Sequence, residues 1–268
     1  MITQELETLL ERNMIRQADV LVDKLRALDM NDAKLKEVQR QIHDKITIEA
    51  MPGPTYLEWL VWLHETLHPR SYMEIGVETG QSLQFARAGT FAIGVDPEPR
   101  IVHGTNTWCR IFKTTSDDFF AKHDLRNIFD NGQVDLAFID GLHHYDQVLR
   151  DFINVEKACD KNSIVLFHDV APAVAATATR EWNTTYWAGD TWKIMTILER
   201  YRPDLKIMTI PAYPTGLGLV TNLDSTSTVL ENNFDKIVNE MKPFDFSQYN
   251  QVNTITNSFD VLRNKLGL

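Results

Sequence analysis

The chain has 268 residues, 43% hydrophobic and 24% charged, with 27 Lys and Arg against 37 Asp and Glu for a formal charge of −10. That is an ordinary globular composition, long enough for one large α/β domain with appendages. The acidic balance argues against nucleic acid or an anionic membrane surface as main partner, because both reward clustered Lys and Arg. Cys109 and Cys159 lack metal-ligand spacing and fit a reducing compartment. The first residues lack the basic and then apolar pattern of a signal peptide, and no apolar run approaches ~18 residues. A cytoplasmic protein without a membrane span is therefore expected.

Up to about Ile48 the pattern is helical. Leu6, Leu9, Leu10, Ala18, Leu21, Val22, Leu25 and Leu28 recur at spacings of three and four, Asn31-Asp32 breaks the run, and Leu35, Val38, Ile42 and Ile46 mark a second amphipathic helix. This hairpin, residues 1–51, reads as a cover on the core, as a wall of a substrate pocket, or as the contact of a homo-oligomer. The turn Met51-Pro52-Gly53-Pro54 bounds it. Thr55 and Glu58 have capping-box spacing and open a helix through Leu67.

Ser71 to Ser82 reads as a strand, a turn holding Gly76 and Gly80, and the start of a helix. Glycines let backbone approach a ligand, and a helix N-terminus offers free N–H groups. A dinucleotide site asks for a third glycine, and Glu78 in the turn would repel a pyrophosphate. The ligand is instead expected to carry a positive or zwitterionic end. Thr90 to Asp96 is the next strand, with Asp96 at its tip where a carboxylate accepts hydrogen bonds from two ribose hydroxyls. Arg110 to Thr115 resembles a third strand, and Ser116 and Asp117 after it are candidates to meet an adenine ring, against an ordinary N-cap and first turn.

Val134 to Ile139 is a buried strand ending in Asp140, with His143 three places on, and Ser163 to Phe167 is another ending in His168-Asp169. Ligands in open α/β sheets bind beyond the carboxyl ends of the strands, so two adjacent tips would bring two carboxylates and two or three imidazoles together. Val170 to Gly189, with Trp182, Tyr186 and Trp187, is long enough for a lid. A helix follows from about Asp190, where Lys193 is a candidate for an anionic substrate group. Leu205–Ile210 and Leu217–Thr221 read as an antiparallel pair closing the sheet, and 226–268 as a mostly helical tail packing with the N-terminal hairpin.

The residues Glu74-x-Gly76-x-x-x-Gly80-x-Ser82 and Asp96 resemble the class I S-adenosylmethionine-dependent methyltransferases, and within them the metal-dependent O-methyltransferases of the catechol and macrolide-sugar types. The resemblance implies a doubly wound, mostly parallel seven-stranded Rossmann-like sheet over 52–225, with helical extensions at both ends. It implies S-adenosylmethionine at Glu74, Gly76, Gly80, Ser82, Asp96, Ser116, Asp117 and Asp140. It further implies a divalent metal on Asp140, His168 and Asp169, His143 as general base, and a small-molecule or glycan acceptor, a sugar hydroxyl first. The family's first residue of the second pair is an oxygen donor, whereas this chain has His168. Imidazole suits manganese, iron, zinc or nickel better than magnesium. Either the ion is softer than magnesium, or His168 turns away, or no ion is bound and His143 acts alone. A nicotinamide-dependent oxidoreductase and a non-catalytic binding protein are the rival readings.

Overall fold

The computed structural model describes residues 3–182, 184 and 186–268. The N-terminal pattern folds as three helices rather than two, α1 (Gln4–Glu11), α2 (Ile15–Leu28) and α3 (Ala33–Ala50). The additional break falls at Asn13, left-handed at φ 54, a conformation asparagine adopts more readily than most side chains. The second break is where it was expected, with the Asp32 carboxylate accepting from the Lys34 and Leu35 N–H groups. Leu6, Ala18, Val22, Leu35, Ile42 and Ile46 pack on one another and on Val174. The stripe is thus spent on the chain's own surface, and the residues it meets come from the long connection rather than from the C-terminal tail.

Helix α4 (Tyr56–Leu67) opens with the expected capping box: the Glu58 N–H donates to Thr55 Oγ1 at 3.3 Å and the Thr55 N–H donates to Glu58 Oε2 at 2.8 Å. Thr55→Ala should cost about 1 kcal/mol. The check is a thermal melt, where a drop of roughly 2–4 °C is expected for a domain of this size and no drop would show the cap to be idle.

The strands follow as β1 (Ser71–Ile75), β2 (Phe91–Asp96) and β3 (Trp108–Lys113), then helices α5 (Ser116–Lys122) and α6 (Leu125–Ile128). Next come β4 (Leu136–Ile139), α7 (Tyr145–Glu156), β5 (Ile164–His168) and α8 (Lys193–Tyr201). The sheet closes with β6 (Lys206–Ile210) and β7 (Leu217–Thr221), and the tail carries α9 (Val229–Asn232), α10 (Phe234–Met241) and α11 (Phe259–Leu266). The strand order is β3-β2-β1-β4-β5-β7-β6, parallel through β5, with β7 antiparallel to both neighbours. This is a doubly wound, mostly parallel sheet. Its order reverses between β1 and β4, which opens a crevice at their carboxyl ends.

Side chains alternate between the two faces with the period of a strand. Met73, Ile75, Ala137, Ile139, Val165 and Phe167 point to the layer of α7, α8 and α10, while Tyr72, Leu136, Phe138, Ile164 and Leu166 point to that of α4 and α11. The tail therefore covers both faces of the sheet. One predicted element is absent: after Gly80 only a 3-10 turn, Leu83–Phe85, is formed. The chain must return to β2 within residues 81–90, turning at Gly89 with φ +97, and that leaves no room for a crossover helix. Among the described residues no helix is long and apolar enough to cross a membrane.

Candidate active site

The glycine turn and the tips of β1, β2, β4 and β5 line one cavity of about 840 Å³, in the upper part of the roughly 300–1,000 Å³ range of small-molecule sites. Gly76, at φ +86, lets the β1 and β4 tips meet, because a Cβ there would lie 1.9 Å from the Asp140 carbonyl oxygen. Asp96 holds the turn: its Oδ2 accepts from the Val77 and Glu78 N–H groups at 2.9 and 2.8 Å, and its Oδ1 from the Glu98 N–H at 2.7 Å. The carboxylate still has lone pairs to offer, since each oxygen carries two, and Asp96 is part of the cavity wall. Gly80 closes the turn through its N–H to the Val77 carbonyl and is not part of that wall.

Glu74 departs from its expected place beside the cofactor. It is fully buried away from the cavity, accepting from Tyr72 Oη and Ser82 Oγ at 2.6 Å each. The strand's alternation explains this, since Glu74 shares the face of Tyr72 while Met73 and Ile75 take the other. Its work is to anchor Ser82, which does border the cavity. Burial pushes the Glu74 carboxyl up to about 8, against the opposing effect of the Ser82 and Tyr72 hydrogen bonds. The folded chain thus keeps this proton up to about 8, while the unfolded chain releases it near 4.5. Its contribution to stability is full below the lower value and is lost as pH rises to the upper one. Glu74→Gln keeps both hydrogen-bond partners without the ionisation, so its melting temperature should vary less than that of the parent protein between these limits. Parallel pH profiles would refute the assignment.

Asp140 and Asp169 face two imidazoles. His143 Nε2 lies 3.5 Å from Asp140 Oδ1 and 3.2 Å from Asp169 Oδ2, and His168 Nδ1 lies 3.2 and 3.5 Å from the same two oxygens. His168 therefore does not turn away from the carboxylates, and its Nε2 is 3.3 Å from Thr215 Oγ1. His143 Nδ1 is 3.0 Å from the Trp187 carbonyl oxygen. A carbonyl only accepts, so Nδ1 carries a proton and Nε2 is the atom turned to the carboxylates. Burial disfavours the charged His143 ring, but Asp169 and then Asp140 outweigh it and raise the group to about 9. Burial likewise works against the charged Asp169, yet His143 and His168 hold its carboxyl below the usual range. Asp140, His143 and Asp169 each offer a ligand atom within 4.8 Å of the others, so His143, expected as a base, is also eligible as a ligand.

Ser116 and Asp117 border the cavity, where Gln147 Nε2 donates to Ser116 Oγ at 3.1 Å and to Asp117 Oδ1 at 3.0 Å. Tyr56, Trp182, Tyr186 and Trp187 give the cavity aromatic walls. The Trp187 ring stacks on His143 at 5.1 Å and the Tyr56 ring lies 4.1 Å from that of His168. Tyr56 and Gln147 were not singled out from sequence. Each sits on a helix with no motif of its own, and only the capping box that fixes where α4 begins hinted at the former. Lys193, expected to face an anionic substrate group, is buried with Nζ 3.4 Å from Asp190 Oδ2 and is not part of the cavity wall.

Residues 73–170 match the family model described as a methyltransferase domain. The match runs from β1 through β5. The chain is 27% identical over 213 residues to the uncharacterized protein y4gI of Sinorhizobium fredii, covering 73% of this chain and 21% of that protein. The chain thus spans about a fifth of the length of this relative. Among solved structures it is similar to an O-methyltransferase from Bacillus cereus in complex with SAH (TM-score 0.47, 13% identity, covering 78% of this chain and 100% of that one). It is also similar to the SAH-bound methyltransferase PaMTH1 of Podospora anserina (TM-score 0.43, 16% identity, covering 68% and 86%).

Proposed function

We propose that this chain is an S-adenosylmethionine-dependent O-methyltransferase acting on a hydroxyl of a small molecule or glycan, assisted by a divalent metal. The observation that carries this reading is the convergence of Asp140, His143, His168 and Asp169 in the wall of a cavity that Gly76, Asp96, Ser116 and Asp117 also line. In this reading Asp96 would hold the cofactor's ribose, and Ser116 and Asp117 its adenine. Glu78 in the turn suits the positive amino end of such a cofactor and opposes a pyrophosphate, which counts against the nicotinamide alternative.

The residues fit a metal ion. Two carboxylates and two imidazoles share two oxygens at 3.2–3.5 Å, so the protons between them stand where bonds to an ion would be. In this reading Asp140, His168 and Asp169 hold the ion, and the mixed nitrogen and oxygen set favours manganese, iron or zinc over magnesium. Bound there, it would lower the pKa of an acceptor hydroxyl. With the ion taking up the charge of the two carboxylates that otherwise keep Nε2 protonated, His143 Nε2 would be free to accept that hydroxyl's proton, and S-adenosylmethionine would supply the methyl group and leave as the neutral thioether. The Trp187 carbonyl keeps the ring in the required tautomer, and much of the remaining rate comes from alignment of oxygen, carbon and sulfur. The rings of Trp182, Tyr186 and Trp187 suit the apolar face of a sugar, and a sugar hydroxyl is the preferred acceptor.

Calorimetric titration of S-adenosylmethionine and S-adenosylhomocysteine, with and without manganese, tests the scheme. Micromolar binding of both ligands is expected, and binding of neither would end the methyltransferase reading. Release of S-adenosylhomocysteine over a panel of sugar and aromatic hydroxyl acceptors then sorts the substrate class.

A further inference from the structure

A second group of potential ligands lies in the N-terminal helices, outside the cavity. Asp19 and Asp23 are one turn apart on α2 and so share a face, and Gln39 and His43 are one turn apart on α3. The two pairs meet: Gln39 Nε2 donates to Asp23 Oδ1 at 2.7 Å, and His43 Nε2 lies 3.1 Å from Asp19 Oδ1. Ligand atoms of Asp19, Asp23 and His43 all fall within 4.8 Å of one another.

His43 is the anomaly. Its side chain is 1% exposed, yet neither ring nitrogen makes a hydrogen bond, and Asp19 Oδ1 is likewise buried without one. The 3.1 Å approach of the two is close enough for a hydrogen bond but lacks its alignment. A buried imidazole normally has a partner, and one left without costs stability. Two ligands of one ion explain the contact. In a tetrahedral site with bonds of about 2.1 Å, neighbouring ligand atoms stand about 3.4 Å apart with no proton between them. Asp23 is exposed, so an ion has a path of entry.

We propose that Asp19, Asp23 and His43 form a zinc(II) site that staples α2 to α3. One imidazole with two carboxylates is a ligand set zinc accepts, with water or the Gln39 amide oxygen as the fourth. The site would bear on the cavity through the next residue of α3, since Asp44 Oδ1 accepts from Tyr186 Oη at 2.9 Å and Tyr213 Oη at 2.7 Å. The assignment is independent of the methyltransferase reading, because it uses none of the strand-tip residues.

The test uses the full chain carrying Asp140→Ala and Asp169→Ala, so that the strand-tip cluster does not contribute. The protein is equilibrated with zinc chloride and desalted, and its zinc is counted by elemental analysis. About one zinc per chain should remain, and Asp23→Asn or His43→Gln should each remove it. Zinc should also raise the melting temperature of the background protein and not that of either variant. His43 is buried and its replacement is the one at risk of not folding, in which case the exposed Asp23→Asn decides. Should the background itself not fold, the same substitution in the parent chain should lower the zinc count by one. Retention of no zinc by the background, or the same zinc content with and without Asp23→Asn, would overturn the site.

Discussion

Replacing Asp169 by alanine is expected to lower methyl transfer by roughly 10³-fold, the scale on which metal-assisted and general-base contributions operate. Asp169 is 3% exposed, sits at the strained angle φ 62, and is the carboxylate that His143 approaches most closely. Without it, two imidazoles share Asp140 alone, and a site for an ion loses one of its two negative oxygen donors. Affinity for S-adenosylhomocysteine should change little, because the turn, Asp96 and Ser116 are untouched. Asp169→Asn separates charge from shape: it should be almost as inactive as alanine if charge is what matters. Rates are read from S-adenosylhomocysteine release and affinity from calorimetry. Turnover within tenfold of the parent, or turnover and cofactor affinity lost together, would contradict the role.

Gly76→Ala is expected to abolish cofactor binding and to destabilise the fold by roughly 3–5 kcal/mol, combining left-handed strain with overpacking. The new Cβ would stand 1.9 Å from the Asp140 carbonyl oxygen and 2.7 Å from the Gly141 Cα, backbone atoms that cannot move without separating β1 from β4. Gly89→Ala is the matched control, at φ +97 with nothing within 4 Å of its Cβ. It should show the backbone penalty alone and bind cofactor normally. Melting temperatures and calorimetry on the two variants give the comparison, and equal effects from both would mean that the contact between strand tips is unimportant.

Much of this site could be read along the chain because strand tips write themselves into sequence. Asp140 and His168-Asp169 each end an apolar run long enough only for a buried strand, and the sheet's topology does the rest by placing β4 beside β5. The Thr55–Glu58 cap was legible for a similar reason, since both partners lie within one turn. What escaped depends on distance or on competition for space. Glu74 belongs to a recognisable motif, but which face of β1 it occupies is settled by its neighbours in the sheet. The absent helix after Gly80 depends on how soon β2 must begin, and a helix-like start gives no warning of that. Asn13 breaks the first helix without a Pro or Gly to announce it. Tyr56 reaches the site only because α4 packs on the sheet beneath His168.

The bond from His143 Nδ1 to the Trp187 carbonyl has a kinetic corollary. That carbonyl belongs to the connection walling the cavity, so the proton's address on the ring depends on where the connection sits. Were the connection to lift, the ring would be free to carry its proton on either nitrogen and to rotate, and Nε2 would no longer be held ready.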